Sequence, residues 1–382
     1  MSFRCASSRP LLNSTQRIAS LSSHFKPYGP PSVVLPNRLR LGHIRTMASI
    51  PSSMKAILID KTGGTEVLQY KTDVPVPTPI DGQLLVKNDF IGVNYIDTYF
   101  RTGLYPAPQF PYILGREGAG TVVAVGPGTD SDLAVGDKVL YMGEGAYSQY
   151  TLASAAKTLK LPAGLDAKTA AAAFLQGMTA LTLVRESHPV QKGDWVLVHA
   201  AAGGTGLWLC GLLAAIGART IGTVSTVAKA EAASRAGAEH VVNYAHEDVE
   251  ARVRELTGGA GCAAVFDGVG KATFDLSLAC VARKGSLVSF GNASGAVPPF
   301  AIARLSAKNA RVLRPTLVNY IVTREELDHY ATELFDFILG RGGKDGLEVS
   351  VHDVYPLSEV ARAHQDLEGR KTSGKLLLDP EK

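Results

Sequence analysis

The sequence predicts an α/β protein of two parts: a doubly wound, mostly parallel domain and an irregular β-barrel-like domain. Three observations predict it. After residue 190 the chain alternates strand and helix, the rhythm of a parallel sheet covered on both faces. A small-residue loop, Ala200-Ala201-Ala202-Gly203-Gly204-Thr205-Gly206, separates the first strand from the first helix of that region. Between Lys55 and Tyr141 short apolar runs follow one another at close spacing, punctuated by Gly, Pro and Asp, as in small β-barrels. A length of 382 residues allows roughly two domains.

The elements follow in order. Residues 1–53 hold Arg4, Arg9, Arg17, Lys26, Arg38, Arg40 and Arg45 amid serines and prolines, and the first acidic residue is Asp60. Arginine and serine without acid is the composition of a transit peptide, so residues 1–53 are expected to be a disordered leader to the mitochondrial matrix. Met47 and Met54 are alternative starts that would leave a cytoplasmic form. The formal charge of +4 belongs to this leader: without its seven cations, 32 basic residues face 35 acidic ones, a charge of −3. That balance gives no general case for a nucleic-acid partner.

In the body, residues 55–60, 83–90, 120–126 and 137–141 read as strands, and the alanine-rich stretch 167–187 as a helix. The run 195–200 suits a buried parallel strand. A helix over 207–216 would be closed by Gly217, and one over 228–236 by Gly237. Residues 219–224, 240–244, 263–267 and 285–291 supply further strands, and Lys375–Asp379 a last one returning to the barrel. The expected division is 54–180 with 318–382 for the barrel domain, and 181–317 for the doubly wound domain. Cys5, Cys210, Cys262 and Cys280 lie far apart and form no Cys-x-x-Cys pair, so reduced thiols are expected. No apolar run approaches the ~20 residues of a membrane span, and no membrane partner is expected.

The loop carries the chemistry. On the dinucleotide fingerprint, Ala201, Gly203 and Gly206 occupy the three glycine positions. Ala202, Gly203, Gly204, Thr205 and Gly206 would bring backbone amides and a helix N-terminus to a pyrophosphate. A site for NAD usually ends the second strand with Asp or Glu. Here that strand ends Thr223-Val224-Ser225-Thr226, and Lys229 follows one helical turn later. Ser225 and Lys229 suit a 2′-phosphate, so NADPH is the expected cofactor.

From Met54 onward the chain resembles the quinone oxidoreductase family, zeta-crystallin included, of the medium-chain dehydrogenase/reductase superfamily. The segments that carry the likeness are Asn94-Tyr-Ile-Asp-Thr-Tyr-Phe-Arg-Thr-Gly-Leu-Tyr-Pro, Gly115-Arg-Glu-Gly-Ala-Gly-Thr-Val, His199-Ala-Ala-Ala-Gly-Gly-Thr-Gly, Phe290-Gly-Asn-Ala-Ser-Gly-Ala-Val and Arg314-Pro-Thr-Leu. The resemblance implies a GroES-like β-barrel catalytic domain and a doubly wound Rossmann domain, with the active site in the cleft between them because residues 94 and 290–292 belong to different domains. Zinc enzymes of the superfamily place Cys near Asn94 and His where this chain has Arg116. An arginine cannot ligate, and residues 100–200 hold no cysteine for a structural zinc lobe, so no zinc is expected. Without a Lewis acid the reading is hydride transfer to an electron-poor acceptor, a quinone or an enone.

The resemblance places Asn94 and Tyr99 beside the nicotinamide as candidate catalytic hydrogen-bonding groups, and Asn94, Asp97 and Tyr99 are expected cofactor contacts. Neighbouring side chains there diverge, so not all can face the cleft. It also implies cofactor contacts at Thr179, Tyr244, Phe290, Gly291 and Asn292. Arg314 and Lys375 would each be a phosphate partner or a surface cation. A homodimer is implied, as is AU-rich RNA binding in some relatives, although no basic stripe lies past residue 55.

Overall fold

The computed structural model describes residues 45–46, 50–344 and 346–382. All but the end of the expected leader lies outside the described residues. Near that end, the backbone of Arg45–Thr46 pairs antiparallel with Val125 and Ala124.

The barrel domain is built on a mixed eight-stranded sheet. Its path runs Val351–Pro356, Lys375–Asp379, Gln83–Val93, Glu117–Val125, Lys138–Met142 and Thr158–Lys160, with Tyr150–Ser154 and Arg45–Thr46 paired off it. The predicted closing strand Lys375–Asp379 does return here, antiparallel to Gln83–Val93 and parallel to Val351–Pro356. A three-stranded sheet of Gln69–Pro75, Ser53–Ile59 and Tyr112–Ile113 covers one side. Ile57, Leu84, Val86, Ile91, Leu376 and Leu378 fill the space between.

The second sheet has six parallel strands in the order His240–Asn243, Arg219–Val224, Trp195–Val198, Cys262–Asp267, Val281–Ser289 and Arg311–Leu313. In sequence terms this is 3-2-1-4-5-6, the doubly wound order, whose crevice lies where the order reverses beside Trp195–Val198. The helix expected from residue 207 starts at Gly204. Its first turn is Gly-Thr-Gly, which has poor intrinsic propensity and reads as loop until the helix packs. The other end agrees: Gly217 closes it at φ 81°.

Helix Ala167–Thr182 joins the halves. Asp166 caps it by accepting the Thr169 N–H at 2.9 Å. It packs on Glu117–Val125 and Gln83–Val93 on one side and on helix Gly204–Ile216 on the other. Its alanines belong to one apolar core that also takes Ala119, Leu140 and Leu159 from the barrel and Val196, Val198 and Leu209 from the parallel sheet. The expected helix to residue 187 instead ends in a π-helical turn, Leu183–Ser187. Among the described residues no helix is long and apolar enough to cross a membrane.

Candidate active site

One cleft of about 820 Å³ runs between the two domains. At one end the strand Trp195–Val198 gives way to Ala200, held at φ 52°, and to the glycine loop. A Cβ on Gly206 would sit 2.3 Å from the Ala200 carbonyl oxygen, so only glycine lets helix and loop close up. The first-turn amides of helix Gly204–Ile216 have no intrahelical acceptor and the loop lines the cleft, a setting suited to an anion. The Ala202 carbonyl accepts Ser373 Oγ (3.0 Å) and the Gly374 N–H (3.2 Å), which latches the loop to the barrel domain.

Ser225 and Lys229 line the same cleft, as does Tyr244 at the end of the third strand. Lys229 Nζ donates to the Arg370 carbonyl at 2.7 Å. Burial, then the Arg370 charge, pushes the Lys229 ammonium below the ordinary lysine value. Two cations and a hydroxyl thus gather where the sequence reading put a 2′-phosphate. Lys229 and Arg370 lie 141 residues apart in the chain, so Arg370 left no local signal in the sequence. His199 was also missed: it lines the cleft, and its buried Nε2 has no partner among the described residues.

The other end is aromatic. Helix Tyr95–Thr102 carries Tyr99, whose ring meets Tyr105 edge-on at 5.3 Å; Phe100 meets Tyr105 at 5.8 Å. Tyr99 Oη accepts the Asn292 N–H at 2.8 Å, a bond between the domains that leaves the phenolic proton free. Burial pushes this phenol up to about 12, so it stays an O–H donor. Thr179 spends its proton on the Leu175 carbonyl at 2.6 Å and offers lone pairs to the cleft. Phe290 and Gly291 form the wall at the end of strand Val281–Ser289.

Four expectations are corrected. Lys375 is neither a phosphate partner nor a surface cation: it is 1% exposed, and its Nζ lies 2.5 Å from Glu117 Oε1 and 2.7 Å from Asn94 Oδ1. Its strand begins beneath the glycine loop, inside the junction. Asn94 lines the cleft, but its amide is engaged, donating to Glu117 Oε1 (2.8 Å) and the Gly92 carbonyl (3.4 Å) while accepting Lys375. It therefore braces the wall and has no free donor for a substrate. Asp97 does not reach the cleft lining. Its Oδ2 accepts the Asn94 N–H (2.8 Å), closing its own helix N-terminus, and the Tyr147 hydroxyl (2.9 Å). Arg314, by contrast, does line the cleft; it donates to the Ser289 carbonyl (2.8 Å) and to Tyr105 Oη (3.1 Å) and keeps further N–H groups. The fourth correction is Asn292, which sits just behind the wall and not in the cleft lining, its amide oriented to accept Arg314 Nη2 at 2.9 Å and donate to the Gly291 carbonyl at 3.0 Å. Of the predicted residues, the cleft gathers all but Asp97, Asn292 and Lys375.

The residues present do not fit zinc. Asn94 and Arg116 stand where zinc enzymes of the superfamily are expected to place ligands, and the carboxylate beside them, Glu117, is neutralised by an ammonium. Among the described residues no three His, Cys, Asp or Glu side chains group to hold a metal.

Comparison with known proteins agrees with this architecture. The family model "alcohol dehydrogenase GroES-like domain" matches residues 80–163, and "zinc-binding dehydrogenase" matches 204–335. The chain is 44% identical to the quinone oxidoreductase of Pseudomonas aeruginosa over 329 residues, 85% of this chain and 99% of that one. It is 40% identical to a Burkholderia 2-haloacrylate reductase over 337 residues, 85% of this chain and 99% of that one. The crystal structure of Escherichia coli quinone oxidoreductase complexed with NADPH superposes with a TM-score of 0.82 at 43% identity, covering 85% of this chain and all of that one. The chain belongs to the zinc-free quinone oxidoreductase family of the medium-chain dehydrogenase/reductase superfamily.

Proposed function

We propose that this protein is an NADPH-dependent reductase of quinones. The observation that carries the reading is one continuous cleft, with a glycine loop, Ser225, Lys229 and Arg370 at one end and Tyr99, Phe100 and Tyr105 at the other. The glycine loop and helix N-terminus fit the pyrophosphate of NADPH, and the hydroxyl and two cations fit its 2′-phosphate. The chemistry this cofactor supplies when bound is a hydride from nicotinamide C4. The protein's part is positional. Phe290 and Gly291 bound the ring site, Thr179 accepts a ribose hydroxyl, and the aromatic wall excludes water from the acceptor. Tyr99 holds a proton at Oη and offers it as a hydrogen bond to the oxygen on which negative charge develops.

The test is steady-state turnover of the purified protein with 1,4-naphthoquinone. NADPH should be consumed only when quinone is present, with kcat/KM for NADH lower by about 10-fold or more, the worth of one or two charge-assisted contacts. Equal rates with both cofactors would defeat the phosphate reading. A second reading, reduction of electron-poor alkenes, is favoured by the 2-haloacrylate reductase relative. Paired rates with a quinone and an enone of similar size separate the two.

Two further properties belong to this proposal. Residues 1–53 direct the protein to mitochondria, which a fluorescent fusion with and without them would test. The strand Arg311–Leu313 ends the parallel sheet and is open to pairing with a second copy as a homodimer, which light scattering would test.

A further inference from the structure

Arg116 has no part in the reading above, yet it lines the acceptor end of the cleft and is held there from several sides. Its guanidinium lies 3.9 Å over the Phe100 ring. Nη2 donates to Tyr112 Oη at 2.9 Å and Nη1 to Glu144 Oε1 at 2.7 Å. Its backbone is fixed as well. Gly115 before it stands at φ 96°, where a Cβ would meet Tyr147 at 2.5 Å, and its own carbonyl accepts the Gly143 N–H at 3.0 Å. A long flexible cation has been given one orientation, so little rotamer entropy remains to be lost on binding.

Two of five guanidinium N–H groups are used, and three remain. The two partners differ. Tyr112 is buried, whereas the Glu144 side chain is 56% exposed and forms the kind of solvent-screened pair that contributes little. Glu144 therefore only partly balances the Arg116 charge and yields readily to another anion.

We propose that Arg116 anchors an anionic group on the acceptor, so that the enzyme selects planar, electron-poor acceptors bearing a carboxylate or sulfonate. The inference rests on the reductase reading and narrows its substrate class. Phe100 and the guanidinium stacked on its ring together form a flat wall of the acceptor end that carries the charge.

The test is equilibrium binding to the full chain saturated with NADP+, using 2-naphthoate and 2-naphthol as charged and neutral probes of one shape. The wild type should bind naphthoate more tightly. Arg116→Gln should collapse the naphthoate-to-naphthol ratio by about 10-fold or more, as expected for loss of a charge-assisted pair. Arg116→Lys, which keeps the charge without the fork, should restore part of it. Glu144→Gln, which removes the competing carboxylate from an exposed position, should raise the ratio, and it carries the test alone should the Arg116 variants not fold. A wild-type ratio near one, or a ratio unmoved by both Arg116→Gln and Glu144→Gln, overturns the proposal. In parallel, NADPH oxidation is followed with 1,4-naphthoquinone and its 2-sulfonate. No turnover of either defeats the reductase reading, while the binding ratio still decides the role of Arg116.

Discussion

The two ends of the cleft are made in different ways. The cofactor end is mostly backbone: one continuous segment, residues 199–206, whose working groups are amides and whose constraint is the absence of Cβ atoms. The acceptor end is side chains drawn from distant segments and held by buried charge. Glu117, Lys375 and Asn94 meet across as many as 281 residues of chain, and Asp97, Tyr147, His364 and Arg101 form a second chain behind them. The first design tolerates changes of side-chain chemistry and fails on added bulk. The second tolerates little change of charge.

The largest expected effect tests the second design. Lys375→Met leaves Glu117 buried with no cation, and unfolding by urea should show a loss of about 3–5 kcal/mol. The double variant Lys375→Met/Glu117→Gln should recover most of it, because the uncompensated charge is gone. A loss under about 1 kcal/mol for the single variant would mean that water reaches the pair.

Asp97 gives the next effect, through pH. Burial, opposed by hydrogen bonds from Asn94 and Tyr147, pushes its carboxyl up from 3.8 to about 6, and its Oδ1 has no partner among the described residues. Between those two values the folded state holds a proton that the unfolded chain has released. The Asp97 contribution to stability is therefore full below about pH 4 and falls as pH rises through 6, by about 3 kcal/mol. Other carboxylates move the total the opposite way, so the readout is wild type minus Asp97→Asn. That difference should shrink with rising pH; a difference that grows would show an ionised, well-paired Asp97.

The same contrast explains what the sequence made legible. The strand–helix alternation, the strand at Lys375–Asp379 and the glycine loop are all local patterns: period, small residues, one strand followed by one helix. Ser225 and Lys229 were readable because they follow their strand directly. Lys375 misled because a lysine before an apolar strand looks like a surface cation until Glu117 is brought against it. Arg370 escaped because only the fold places it beside Lys229. Asn94 was assigned to the cleft correctly, yet its amide is consumed by partners that no spacing announces.

At the acceptor end itself, Tyr99→Phe removes the free phenolic proton and the acceptor for Asn292. We expect kcat for quinone reduction to fall by about 30-fold, with KM for NADPH changing by less than about 3-fold. Since burial holds this phenol at about 12, the wild-type rate should show no break from Tyr99 below that pH. An unchanged kcat would move the developing charge elsewhere in the cleft.

The smallest effect sharpens the comparison from the cofactor end, where side chains matter only for selectivity. Lys229→Ala should narrow the preference for NADPH over NADH by about 10-fold in kcat/KM, less at high salt because the site is half-exposed. Arg370→Ala is the more discriminating variant. Lys229 is tethered to the Arg370 backbone carbonyl, which the substitution leaves in place, so the change removes one charge without releasing the other. If both cations meet the 2′-phosphate, the double variant should narrow the preference further than either single one. If Arg370 serves only as the tether, Arg370→Ala should behave as wild type, and the phosphate site reduces to Ser225, Lys229 and the backbone that carries them.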